Sequence, residues 1–107
     1  MAFTVQAGKG GAEQILAVSG DLDIASAAEL REAGEAAFGD EECHTLRLDV
    51  AEVSFMDSTG LGVLVGLRNA AQAAGKDLVI ANPSLTVARL LRLSGLLSVF
   101  RVEPATA

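Results

Sequence analysis

Short apolar runs alternate along this chain with longer stretches of helical period, and a glycine follows each helical stretch, at Gly39, Gly75 and Gly95. This alternation limits the fold more than any other feature, because strand–helix–strand units make parallel strand pairs with right-handed connections in nearly all cases. The first two apolar runs, Phe3 to Ala7 and Gln14 to Ser19, are β-like. Between them Gly8-Lys9-Gly10-Gly11-Ala12 reads as the loose loop of a hairpin. After Gly20-Asp21-Leu22-Asp23, Ser26 and Glu29 have the spacing of a capping box, and Leu30, Ala33, Ala37 and Phe38 mark the inner stripe of a first helix. Thr45 to Val50 alternates Leu46, Leu48 and Val50 with Arg47 and Asp49, the pattern of a strand with one wet face. A second helix is expected from Ser58 to Ala74, with Leu61, Leu64, Val65 and Arg68 on neighbouring turns. Leu78 to Ala81 reads as a strand, Asn82 as the cap of a third helix with Pro83 at its first position, and Val99 to Val102 as the last strand.

The order β-β-α-β-α-β-α-β predicts one α/β domain over residues 1–107, with a mixed, mostly parallel sheet, an N-terminal β-hairpin and three or more helices. Residues from about 103 to 107 are expected to fray. A chain of 107 residues buries roughly 60–65% of its unfolded surface, enough for one core and too little for two. That core must be aliphatic, since half the residues are apolar but there are only four Phe and no Trp or Tyr. In a parallel sheet every strand-to-helix loop leaves from the same edge. Asp21 to Asp23, Asp57 to Gly60 and Asn82 to Ser84 should therefore cluster outside the carboxyl ends of the strands, where open α/β sheets usually hold their sites.

Several functions are disfavoured by composition. A formal charge of −6 with Arg31, Arg47, Arg68, Arg89 and Arg92 scattered along the chain argues against nucleic-acid binding, which needs clustered cations. A basic protein partner is compatible with it. The longest span candidate, Leu61 to Leu67, is far short of the ~20 residues that cross a bilayer, and the N-terminus does not read as a secretory signal. A soluble, cytoplasmic protein without direct membrane insertion is the expectation. Cys43 has no disulfide partner, and with His44 beside it no zinc set can be completed, so a surface turn is expected there and no metal. The glycines at 8, 10 and 11 lack P-loop spacing. No nucleophile–His–acid set can be assembled, so neither catalysis nor a cofactor is expected.

Against that background Asp57-Ser58-Thr59-Gly60-Leu61-Gly62 stands out. It puts a hydroxyl between an acid and a helix start, where a phosphate would meet free backbone N–H groups. Two readings of Ser58 follow: an N-cap worth about 1 kcal/mol, or an acceptor for modification. Asp23 likewise reads either as a cap or as part of a partner surface. Gly60, Gly62 and Gly66 each cost about 1 kcal/mol in a helix interior relative to Ala. Gly62 and Gly66 fit either tight packing on the protein's own sheet or a close approach by a partner, and Gly60, beside Ser58, reads as room for a partner loop.

Gly20-Asp21-Leu22-Asp23, the stretch from Asp49 through Asp57-Ser58-Thr59-Gly60-Leu61, and Leu93-Ser94-Gly95-Leu96, taken together and in this order, closely resemble bacterial anti-sigma factor antagonists, the free-standing STAS domains. The resemblance covers nearly the whole chain. It implies a partner-switching regulator of transcription and signal transduction: an anti-anti-sigma factor whose unmodified form binds an anti-sigma factor serine kinase and releases the sigma factor. Phosphorylation of Ser58 by that kinase, which itself binds the ATP, would weaken the complex, and a PP2C-type phosphatase would reset it. The implied partner-binding residues are Asp21, Asp23, Asp57, Ser58, Thr59, Gly60 and Leu61. Thr59 stands where the family often has a second serine and Asp21 where glutamate is frequent. The alternative is a non-switching STAS subunit that binds a small ligand or serves as a scaffold in a larger complex.

Overall fold

The computed structural model describes residues 3–104. In chain order its elements are β1 (Thr4–Gly10), β2 (Glu13–Leu22), α1 (Ala27–Phe38), β3 (Thr45–Met56), α2 (Ser58–Ala74), β4 (Asp77–Ala81), α3 (Leu85–Leu93) and β5 (Arg101–Glu103). The five strands lie side by side in the order β1-β2-β3-β4-β5, with β1 antiparallel to β2 and every later pair parallel. This is the expected mixed α/β sheet with its N-terminal hairpin and three helices. Each crossover advances one strand in the same direction, and right-handed connections then put all three helices on one side.

Alternation along the strands sorts side chains to match. Leu46, Leu48 and Val50 of β3, with Leu78 and Ile80 of β4, join Leu30 of α1, Leu64 and Leu67 of α2 and Val87 and Leu91 of α3 in one apolar cluster. Burying each such Leu is worth roughly 1.5–3 kcal/mol. The opposite face has no helix. There Arg47 of β3 holds Glu13 of β2 at 3.0 Å and reaches across β4 to Glu103 of β5. Val79, which lies between Arg47 and Arg101 in the register, is only 1% exposed. The two carboxylates raise the guanidinium pKa above its ordinary value, and Arg47 in turn lowers that of Glu103.

Several boundaries differ from expectation for identifiable reasons. The hairpin loop is tight: Gly10 pairs with Glu13, and Gly11 has φ 65 at the first of two turn positions, where a II′ turn takes glycine. β3 runs on to Met56, because register shifts after Ala17 and Gly20 let β2 and β3 stay paired to Leu22 and Met56. The capping box at Ser26 is not formed. Its hydroxyl turns inward, accepting from the Asp23 N–H at 3.0 Å and donating to the Asp21 carbonyl at 2.7 Å. Ser84 rather than Asn82 caps α3, accepting from the Val87 N–H, while Asn82 takes φ 51 in the turn before it. The last strand begins at Arg101 rather than Val99. Cys43 is not on a surface turn: it is 1% exposed, a small hydrophobe whose thiol lies 3.5 Å from the Thr45 carbonyl. Glu103 does not fray but is held by Arg47, whereas the expected tail at 105–107 lies outside the described residues.

Candidate functional site

The extension of β2 and β3 past the rest of the sheet builds the carboxyl edge. Asp21 pairs with Phe55 and Leu22 with Met56, so the segments that follow, carrying Asp23 and Asp57, leave the sheet side by side. Asp21 accepts from the Ser54 hydroxyl at 3.1 Å, a bond between the two strands. Asp23 accepts the Ala25 N–H on its side chain at 3.0 Å and the Ala27 N–H on its carbonyl at 2.9 Å, closing the turn into α1. From the third loop Ser84 donates to the Val53 carbonyl at 2.8 Å. All three strand-to-helix loops thus meet at this edge, as the topology requires.

At the start of α2 the cap is Asp57, not Ser58. The Asp57 Oδ1 accepts from the Thr59 N–H at 2.9 Å and the Gly60 N–H at 3.1 Å. Two of the amides expected to be free for a phosphate are therefore already taken. Ser58 sits at the first helical position with an exposed side chain, Thr59 is half-buried, and Leu61 is half-buried against the core cluster.

Burial separates the glycines of α2. Gly60, expected to admit a partner, is buried, and a Cβ there would lie 2.5 Å from the Leu22 carbonyl oxygen and 2.9 Å from Met56 Cγ. Its lack of a side chain is what lets α2 dock on the end of β2. Gly62 and Gly66 have open space where a Cβ would stand and are exposed, so packing on the sheet does not require them. The close internal approach at a helix crossing belongs instead to Gly34 of α1, where a Cβ would meet the Leu67 side chain at 2.5 Å.

Large apolar side chains are also exposed along this edge: Ile24 at 80% in the loop after β2, Phe55 at the end of β3 and Leu85 at the start of α3. Ile24 lies in a loop and Phe55 is out of phase with the buried residues of its strand, whereas Leu85 opens α3 on the side away from the buried Val87 and Leu91. Among the described residues no cluster of His, Cys, Asp or Glu could hold a metal ion, and no helix is long and apolar enough to cross a membrane.

Comparison with known proteins gives this arrangement a context. The family model described as "STAS domain" matches residues 6–107. The anti-sigma-B factor antagonist of Listeria monocytogenes is 36% identical over 86 residues, covering 80% of this chain and 75% of that protein. Among solved structures, the anti-sigma factor antagonist SpoIIAA in its unphosphorylated form superposes with a TM-score of 0.78 at 26% identity, covering 98% of this chain and 89% of the other. The phosphorylated form of the Bacillus cell fate determinant SpoIIAA gives a TM-score of 0.75 at 25% identity, covering 98% and 92%. With a family match that runs through the sheet, the helices and the carboxyl edge alike, this chain belongs to the STAS domain family.

Proposed function

We propose that the protein is an anti-sigma factor antagonist that switches partners through phosphorylation of Ser58. Unmodified, it binds an anti-sigma factor serine kinase and releases the sigma factor. The phosphorylated form binds more weakly, and a PP2C-type phosphatase restores it. Relatives called antagonists act, by that name, against another protein, and this chain is a regulator rather than an enzyme. It works in the cytoplasm on this reading, with ATP bound by the partner and no cofactor of its own. Asp21, Asp23, Asp57, Ser58, Thr59 and Leu61 form the contact surface. Gly60 leaves that set because its role is internal packing.

The observation that carries the proposal is that Asp57 does the capping and leaves the Ser58 hydroxyl exposed. A phosphate added there brings roughly −1.5 to −2 charge. The helix dipole favours it by about 0.3–1 kcal/mol, but the Thr59 and Gly60 amides are occupied and Asp57 adds a like charge. The dianion therefore meets little compensation within the chain and acts mainly on whatever docks at the edge. A change of about 1–3 kcal/mol in partner affinity gives roughly 5–150-fold, which suffices for a switch.

Incubation with ATP and a cognate anti-sigma kinase, followed by mass analysis, should add one phosphate to the wild type and none to Ser58→Ala. Circular dichroism and melting of the two forms should agree. No kinase-dependent mass change would indicate a non-switching STAS subunit, and unfolding on phosphorylation would refute the intact-scaffold mechanism. A phosphate on Ser58→Ala would move the acceptor to Thr59.

A further inference from the structure

The chain carries a formal charge of −6, yet residues 78–102 contain three arginines and no Asp or Glu. The fold concentrates that local excess on α3. Val87 and Leu91 are its buried side. Leu85, Arg89, Arg92 and Leu93 recur at i, i+4, i+7 and i+8, which is one stripe of a helix, and it faces water: Leu85 is 87% exposed and Leu93 76%. Neither Arg89 nor Arg92 makes an ion pair among the described residues. Internal packing accounts for the buried side of α3 but not for two leucines left in solvent, two turns apart, with unpaired cations between and beside them.

The stripe continues into the carboxyl edge. Leu93, Arg89, Leu90 and Thr86 line a shallow hollow of about 210 Å³ with Met56, the residue immediately before the cap Asp57. The Thr86 hydroxyl lies 3.5 Å from the Ser54 carbonyl, on the strand that leads to Ser58.

From this continuity we infer that the outer stripe of α3 is the second half of the docking surface, taking a segment of the partner kinase that carries apolar side chains flanked by carboxylates. The inference rests on the partner-switching reading above and adds the chemistry by which the partner is held. Charge complementarity selects the occupant: the charged side chains of α3 are Arg89 and Arg92 alone, so the stripe favours carboxylates, while Leu85 and Leu93 supply apolar anchors about 12 Å apart along the helix. An anionic bilayer fits less well, because pressing the stripe against it would bring the neighbouring Asp21, Asp23 and Asp57 toward like charge. A second copy could offer Glu29, Glu32 and Glu35 of its α1, so self-association is one of the outcomes that the test separates.

The test is titration of the cognate anti-sigma kinase with the full chain as wild type, Leu93→Asp, Leu93→Met and the pair Arg89→Glu with Arg92→Glu, all at exposed positions and each first matched to wild type by melting. Expected are a tenfold or greater loss of affinity for Leu93→Asp and for the arginine pair, near wild-type affinity for Leu93→Met, and a slower, less salt-dependent association for the arginine pair. Wild-type binding with all variants equal to it would overturn this inference and leave the switch standing, whereas no binding by wild type would overturn both. Sedimentation showing self-association abolished by Leu93→Asp would overturn it in favour of a second copy. Cosedimentation with phosphatidylserine vesicles abolished by the same change would overturn it in favour of a membrane.

Discussion

Two loops on the same edge of this sheet each lead into a helix through a serine, and the two serines have opposite fates. In the loop between β2 and α1, Ser26 is 6% exposed and its hydroxyl ties the Asp23 N–H to the Asp21 carbonyl. In the loop between β3 and α2, Ser58 is exposed, because the carboxylate before it has taken over the capping bonds. The lesson is local: a hydroxyl at a helix start is available for chemistry only when a neighbour satisfies the helix. An Asp immediately before the serine does that here, whereas at Ser26 the aspartate stands three residues earlier and turns its side chain to Ala25.

The sharpest way to break this comparison is to separate the two loops physically. Gly60→Val puts a branched side chain against the Leu22 carbonyl, a backbone atom that cannot swing away. It should destabilise by about 1–3 kcal/mol or more, measured as a lower denaturant midpoint, and the loss should appear without any partner present. Next in size is the serine pair itself. Ser26→Ala leaves a buried N–H and a carbonyl short of their partner and should cost about 1–3 kcal/mol, while Ser58→Ala should stay within about 0.5 kcal/mol. Equal losses in thermal melts would mean that the two hydroxyls are used alike.

Removing the cap sharpens the point further. Asp57→Ala should cost about 1 kcal/mol, and Asp57→Ser should recover most of it in the same melts. The exposed glycines of α2 run the other way: Gly62→Ala and Gly66→Ala enter open space in a helix and should each stabilise by about 0.5–1 kcal/mol. Partner binding measured on the same two variants then tells whether those glycines serve an incoming surface, since a more stable protein that binds less well would locate the approach there.

The smallest effect is expected from pH, and from the far side of the molecule. Glu103, through its bond to Arg47, has a folded pKa held below the ordinary 4.5, and Asp40, through Lys9, below 3.8. Each stabilises the fold fully above its ordinary value, and that contribution fades as pH falls through the depressed folded value. The melting temperature should therefore decline below about pH 4.5, with a shallower decline in Glu103→Gln, and the size will be modest because both carboxylates are in contact with solvent.

Much of the scaffold was legible along the chain. The run from Ser58 to Ala74 is helical at the expected bounds, since Leu64, Leu67 and Ala71 recur on one face and Gly75, at φ 70, ends the helix. The alternation in Thr45 to Val50 correctly assigned Leu46, Leu48 and Val50 to the core and left Arg47 and Asp49 on the bare face. The candidate site was legible as a cluster of loops, because parallel topology leaves no other place for them. Its interior was not. Ser58 and Asp57 are both good caps, and only the extended backbone at Asp57, φ −112 and ψ −169, aims the carboxylate rather than the hydroxyl at the free amides. Glycine in a helix says that a side chain is missing, not which neighbour forbids it, so Gly60 and Gly62 looked alike until Leu22 stood beside one of them.

Taken alone, the order of residues in this protein determined the class of fold, the edge where its loops converge and the serine to examine, because periodicity and crossover handedness are properties of the chain itself. Tertiary structure alone decided which hydroxyl is locked and which is free, which glycine is a packing requirement, and that Leu85, Leu93 and their arginines face water. Those outcomes depend on the extra paired residues of β2 and β3 past the rest of the sheet and on how closely α2 and α3 settle against them, and such distances between segments remote in sequence are not written in any single segment.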